Sequence, residues 1–270
     1  MNVSVPTPVQ NILNDYISNF QKQIPHTLEA LYLHGSIALN AYTEGSSDID
    51  FIAVMNRSLT ESDVKVIAVL HKDLNQKYKK IAMDGSYLPV DSVGKEQAEV
   101  KNCLYVNEGK IKWSNDGINP VTWWILKNNG ITIMGPDVTT LDFNVDESIL
   151  VDYVKENMNT YWLNRLKTMK KYKTIAFLIP NKFIDREVAW SITGMLRQFY
   201  TLREHNIASK IDASSYAINH IPERWHNIIN EAVNIQEGIN RRYCKSKKQR
   251  IEDTIQCMNY ILNTCNSMNE

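Results

Sequence analysis

The chain of 270 residues is long enough for one large domain or two ordinary ones, and its 43% hydrophobic and 22% charged content is that of a globular protein. Lys+Arg and Asp+Glu both number 30, so net charge is zero, which argues against a protein gripping an extended nucleic acid and favours a small acceptor. There is no run of about 18 apolar residues and no N-terminal signal pattern, and Cys103, Cys244, Cys257 and Cys265 lack metal-ligand spacing, so the expectation is a cytoplasmic protein with reduced thiols and no membrane partner, a monomer or weak dimer.

Val9, Ile12, Leu13, Tyr16, Ile17 and Phe20 recur at helical spacing between Pro8 and Gln23, and Pro25 stops that helix. Leu28 to His34 reads as an apolar strand running into Gly35-Ser36, Ser36 to Asn40 as a short helix, and Thr43 to Ser47 as a polar turn. Asp48 to Met55 reads as a second strand. Side chains alternate faces along a strand, so Asp48 and Asp50 share one face, with alpha-carbons roughly 7 Å apart, while Ile49 and Phe51 turn into a core. Two carboxylates fixed on one face make a hard oxygen site suited to Mg²⁺. Gly35 lets a phosphate approach the backbone, Ser36 adds a hydroxyl, and a helix starting there offers N–H groups to an anion. Ser47, beside Asp48, is a further candidate nucleotide contact. A phosphate cradle beside paired carboxylates points to metal-assisted nucleotidyl transfer. The plainer alternative is that Gly35-Ser36 only starts a helix and the aspartates only cap a strand.

Ser58 to Thr60 should cap a helix from Glu61 to Tyr78 with Val64, Ile67, Ala68, Leu70, His71 and Leu74 as its buried stripe, ended by Lys79-Lys80. Ile81 to Pro89 reads as a third strand. Asp84 in its middle is unexpected unless it is paired or binds a metal; the competing reading is an exposed Met-Asp-Gly-Ser bend. Val100 to Val106 and Lys110 to Trp113 suggest a hairpin around Asn107-Glu-Gly109. A helix entered through Pro120 ends at Asn129-Gly130, and Ile131 to Met134 is a strand stopped by Gly135-Pro136.

Composition shifts after Asp137 to Asn144, which divides the chain into domains 1–145 and 146–270. Helices are expected over Asp146 to Leu166, Lys182 to His205, Ala213 to His220 (capped by Asp212), Glu223 to Ile235 and Tyr243 to Cys265. Trp190, Met195, Leu196, Phe199 and Tyr200 read as bundle core, and the basic run Arg241 to Arg250 as a solvated helix face. The fold class is therefore α+β: a mixed sheet with helices, followed by an all-α bundle.

The Gly35-Ser36 pair followed by Asp48-x-Asp50, each on an apolar strand, resembles the nucleotidyltransferase superfamily with its polymerase beta-like fold. The stretch from Pro120-Val-Thr-Trp-Trp-Ile-Leu-Lys to Gly135-Pro136 is similar to a segment of bacterial aminoglycoside adenylyltransferases, the streptomycin/spectinomycin enzymes among them, and the resemblance covers most of the chain. It implies ATP- and Mg²⁺-dependent transfer of AMP to a hydroxyl of an aminoglycoside or aminocyclitol antibiotic, with drug resistance as the outcome. It implies Asp48, Asp50 and Asp84 as metal ligands, with Asp84 also the base. It further implies Lys210 and Arg197 as nucleotide-binding cations, and Glu187, with Asp185 as a near alternative, and Trp113 as contacts to the antibiotic. Asp84 stands where the streptomycin/spectinomycin enzymes have glutamate, a nucleotide-contacting tyrosine is replaced near Gln236, and Leu178 to Phe183 lacks the features expected for streptomycin. Other acceptors, a lincosamide or a protein side chain, and a nucleotide-binding regulator without turnover are the alternatives.

Overall fold

The computed structural model describes residues 4–78, 81–243 and 246–268; Lys79, Lys80 and Cys244, named above, lie outside them. Its contacts separate into two compact units, Met1–Asp146 and Glu147–Glu270.

The first unit is built on a six-stranded mixed sheet: β1 (Leu28–Leu33), β2 (Ile49–Met55), β3 (Met83–Pro89), β4 (Leu104–Asn107), β5 (Lys110–Trp113) and β6 (Ile131–Met134), in the order β5-β4-β3-β2-β1-β6. Helices α1 (Thr7–Gln23) and α3 (Glu61–Lys77) supply Val9, Tyr16, Phe20, Ile67 and Leu74 to a core shared with Leu31, Phe51, Tyr87 and Leu104 on one face of the sheet. The other face packs Tyr32, Ile52 and Leu88 under Trp123 and Leu126 of α4 (Pro120–Asn129). Only β2 and β3 pair in parallel, because α3 carries the chain from the end of one to the start of the other. The start of α3 is fixed by a reciprocal capping box: the Thr60 hydroxyl accepts the Asp63 N–H, and the Asp63 carboxylate accepts the Thr60 N–H.

Two expectations change here. The second strand begins at Ile49, so Asp48 stands exposed in the turn that leads into it. The helix after β1 is one turn, α2 (Gly35–Ala38), too short for a dipole to carry an anion site; any phosphate contact there rests on the backbone and Ser36.

The second unit is helical: α5 (Glu147–Asn157), α6 (Leu163–Ile175), α7 (Asn181–Glu204), α8 (Lys210–Ile218), α9 (His226–Gln236) and α10 (Lys247–Ser267). The first of these extends further than Leu166, because a π turn at Met158–Trp162 joins α5 to α6. Leu150, Val154, Met158, Trp162 and Leu166 are buried at a strict four-residue repeat. An ideal helix would rotate that stripe by about 40° per step; the wider turn takes up the drift and sets the Trp162 indole against Gly194, where a Cβ would overlap it.

Four further corrections follow from capping and burial. Ser209 caps α8, accepting the Asp212 N–H at 3.1 Å, so Asp212 sits inside the first turn. Ser246 caps α10, which begins at Lys247 and not at Tyr243. The run Arg241 to Arg250 is no plain solvated face: Arg250 is 2% exposed and ion-paired with fully buried Glu231 and with Asp185. Trp190, placed in the core by its apolarity, is 48% exposed on α7, whereas Met195, Leu196 and Phe199 are buried.

Candidate active site

The register of β2 and β3 sets Asp50 directly opposite Asp84. Paired residues on neighbouring strands share a face, so both carboxylates leave the sheet on the side away from Phe51 and Tyr87. Asp84 is a strand residue, 9% exposed, which overturns the reading of an exposed bend. The backbone N–H of Glu108, at the β4–β5 turn, donates to its Oδ1 at 3.0 Å. Burial pushes the Asp84 carboxyl up to about 6; the Glu108 N–H opposes this, and the charges of Asp48, Asp50 and Glu108 add to it. Asp48, Asp50 and Asp84 thus lie in one another's field, the circumstance that a divalent cation relieves. Among the described residues no three acidic, imidazole or thiol groups already close on a common point as a metal cage. The donors are hard carboxylate oxygens, the chemistry Mg²⁺ takes.

Gly35 is required at its position twice over. Its φ is +62°, and a Cβ there would overlap the Asp50 carboxylate. The next residue, Ser36, has a buried hydroxyl with no hydrogen-bond partner among the described residues, which suits a ligand oxygen. His34 precedes them, its N–H donating to the Asp50 carbonyl at 3.1 Å. Burial holds the His34 imidazole down at about 4, against a hydrogen bond with Phe51 backbone, so it stays neutral. The Ser47 oxygen accepts the Thr43 N–H at 3.0 Å and closes the turn that presents Asp48.

In the second unit, Arg197 lies half-buried on α7 and Lys210 is the exposed first residue of α8. Glu187 is 3% exposed and ion-paired with Arg165, whose Nη2 spans both of its oxygens. Asp185 accepts from Arg250 at 2.5 Å and from Arg242 at 2.9 Å. Burial raises the Asp185 carboxyl, but these two arginines outweigh it and hold it below its usual range. Trp113, 49% exposed, ends β5 opposite Leu104, a residue of the core under α1 and α3. That register puts it on the face away from Asp84, at the open edge of the sheet.

Sequence reasoning missed the N–H of Glu108, His34 and Tyr105. Tyr105 lies between core residues Leu104 and Val106 and so on the opposite face, the face of Asp84. The alternation was legible in the sequence; the register that aligns it with Asp84 was not.

A carboxylate row on a mixed sheet beside a glycine-serine turn is the arrangement of a nucleotidyltransferase, and residues 15–113 match the family model described as nucleotidyltransferase domain. Residues 181–262 match the model described as aminoglycoside adenylyltransferase, C-terminal domain. Together the two models mark the chain as an enzyme of the nucleotidyltransferase class whose second unit is similar to the C-terminal domain of aminoglycoside adenylyltransferases. In fold it is similar to the spectinomycin adenyltransferase AAD(9) from Enterococcus faecialis, solved with ATP and spectinomycin: TM-score 0.70, 15% identity, covering 95% of this chain and 99% of that one. The STING-associated c-di-GMP synthase CdnE from Capnocytophaga granulosa, 15% identical over 96% of this chain and 83% of its own, has a TM-score of 0.25 and bears no argument. No curated protein matches the chain by sequence.

Proposed function

We propose that the enzyme transfers AMP from ATP, with Mg²⁺, to a hydroxyl of an aminoglycoside or aminocyclitol antibiotic of the spectinomycin or streptomycin type, and that it serves resistance. The observation that carries the chemistry is the Asp50–Asp84 pair in register on β2 and β3, with Asp48 in their field. The drug class is supported by the family of residues 181–262 and by the spectinomycin named with the AAD(9) structure.

In this reading Asp48, Asp50 and Asp84 hold the metal, which supplies positive charge to the triphosphate and eases ionisation of the attacking hydroxyl. The chain's own residues do the rest. Asp84, its affinity for a proton raised by burial, takes the proton of the acceptor hydroxyl and keeps its other lone pairs engaged by the Glu108 N–H. Gly35 and Ser36 receive phosphate oxygens, with Ser47 shaping the turn beside them. Arg197 and Lys210 contribute cations that offset charge on the leaving pyrophosphate. Glu187 and Asp185, the proposed contacts to a cationic drug, already carry arginines, so a drug ammonium group shares or displaces those partners. Trp113 is a contact at the sheet edge only.

The test is incubation of purified protein with ATP, Mg²⁺ and spectinomycin or streptomycin. Pyrophosphate release and an AMP adduct of the drug by mass spectrometry are expected; ATP that binds without being consumed against any such drug sinks the reading.

A further inference from the structure

A second row of side chains runs along the carboxylate face, one step further up the sheet. Ser86 lies two residues beyond Asp84 on β3, so on the same face, and pairs with Tyr105 on β4, which in turn pairs with Lys112 on β5. Across an antiparallel pair the diagonal neighbour is about 7–8 Å away at the backbone, within reach of an aromatic side chain. Asp84 is that diagonal neighbour of Tyr105.

The Tyr105 ring is held in place. On one side is Gly117, where a Cβ would overlap both the ring and the Ser86 hydroxyl, so any larger residue would push the ring out. The Lys112 ammonium stands 5.9 Å from the ring centroid, itself ion-paired at 2.6 Å with Asp116. The ring is half-buried, and its hydroxyl makes no hydrogen bond among the described residues. Burial and, after it, the charge of Asp84 keep this hydroxyl protonated, so it stands as a donor on the carboxylate face within the field of Asp84.

We propose that the Tyr105 hydroxyl is a specificity residue for the acceptor: it donates a hydrogen bond to an acceptor oxygen on the carbon next to the one whose hydroxyl loses its proton to Asp84. Polyhydroxylated ring acceptors carry such adjacent oxygens, and the contact selects which hydroxyl faces the base. This inference rests on the adenylyltransferase reading and deepens it.

Tyr105→Phe keeps the ring and removes only the donor. With spectinomycin and streptomycin as probes, the variant should raise the acceptor KM about 3- to 10-fold, the loss of one neutral hydrogen bond, while ATP affinity measured by calorimetry stays unchanged. An acceptor analogue lacking the adjacent oxygen should show the same loss with wild-type protein and no further loss with Tyr105→Phe, a coupling a merely structural tyrosine would not give. An unchanged acceptor KM, a parallel fall in ATP affinity, or additive losses overturn the proposal alone. Wild-type protein that modifies neither drug overturns it together with the reading beneath it.

Discussion

At the scale of single residues, the site is an arrangement of charges held at a cost. The Asp84 carboxyl in the folded protein titrates near 6, above its ordinary 3.8, so between those values the folded state binds a proton that the unfolded state does not. Its contribution to stability is therefore greatest below pH 4 and declines as pH rises through 6, where the ionised, buried group costs up to about 3 kcal/mol. Asp84→Asn should abolish AMP transfer while sparing ATP binding. In metal-free protein at pH 8 it should also raise unfolding free energy by about 1–3 kcal/mol, a gain that shrinks towards pH 4 in urea titrations. Gly35→Ala should act the other way, destabilising by about 1–3 kcal/mol through its positive φ and displacing Asp50, with turnover lost in the same assay.

At the scale of elements, two buried polar clusters hold the units in shape. In the first, the Tyr16 hydroxyl meets the Tyr87 hydroxyl at 2.6 Å, and Tyr87 meets His71 Nε2 at 2.7 Å, tying α1, β3 and α3 together inside the core. Burial pushes His71 down to about 4, so the imidazole is neutral, and its tautomer sets which partner donates along the Tyr16–Tyr87–His71 chain. Tyr87→Phe leaves Tyr16 and His71 without a partner and should cost about 1–3 kcal/mol in chemical denaturation. In the second, Arg250 joins α10 to Glu231 of α9 and Asp185 of α7. Arg250→Met removes the counter-charge of fully buried Glu231, which keeps the Tyr243 N–H at 2.7 Å, and should cost about 3–5 kcal/mol, part of it recovered by adding Glu231→Gln. These clusters explain what the sequence left unread. Helical and strand periods are local, so α1, β1, α3, β3 and α7 could be placed from apolar spacing and their breakers. A charge in a basic run reads as solvated until a carboxylate from another helix is seen against it, as with Arg250; an exposed indole reads as core until its helix face is known, as with Trp190. The cap expected at Asp212 belongs to Ser209, and the helix expected from Tyr243 starts at Lys247 behind its Ser246 cap, each one turn or less from the expected position.

At the scale of the molecule, Asp48, Asp50 and Asp84 were legible as a group because carboxylates are out of place in or beside bland strands, and the nucleotidyltransferase domain because Gly35-Ser36 and Asp48-x-Asp50 each sit on a recognisable element within residues 15–113. The partners of Glu187 and Asp185 were not, since Arg165, Arg242 and Arg250 reach them from distant parts of the chain. The balance of 30 basic and 30 acidic residues accords with the small acceptor proposed for the enzyme. The most direct test of the central claim is a single-turnover reaction of purified protein with ATP labelled at the α-phosphate, Mg²⁺ and spectinomycin or streptomycin. Label appearing on the drug in wild-type protein, and absent with Asp84→Asn despite retained ATP binding, is the predicted result. Label that never leaves ATP, or that reaches the drug equally well in the variant, contradicts it.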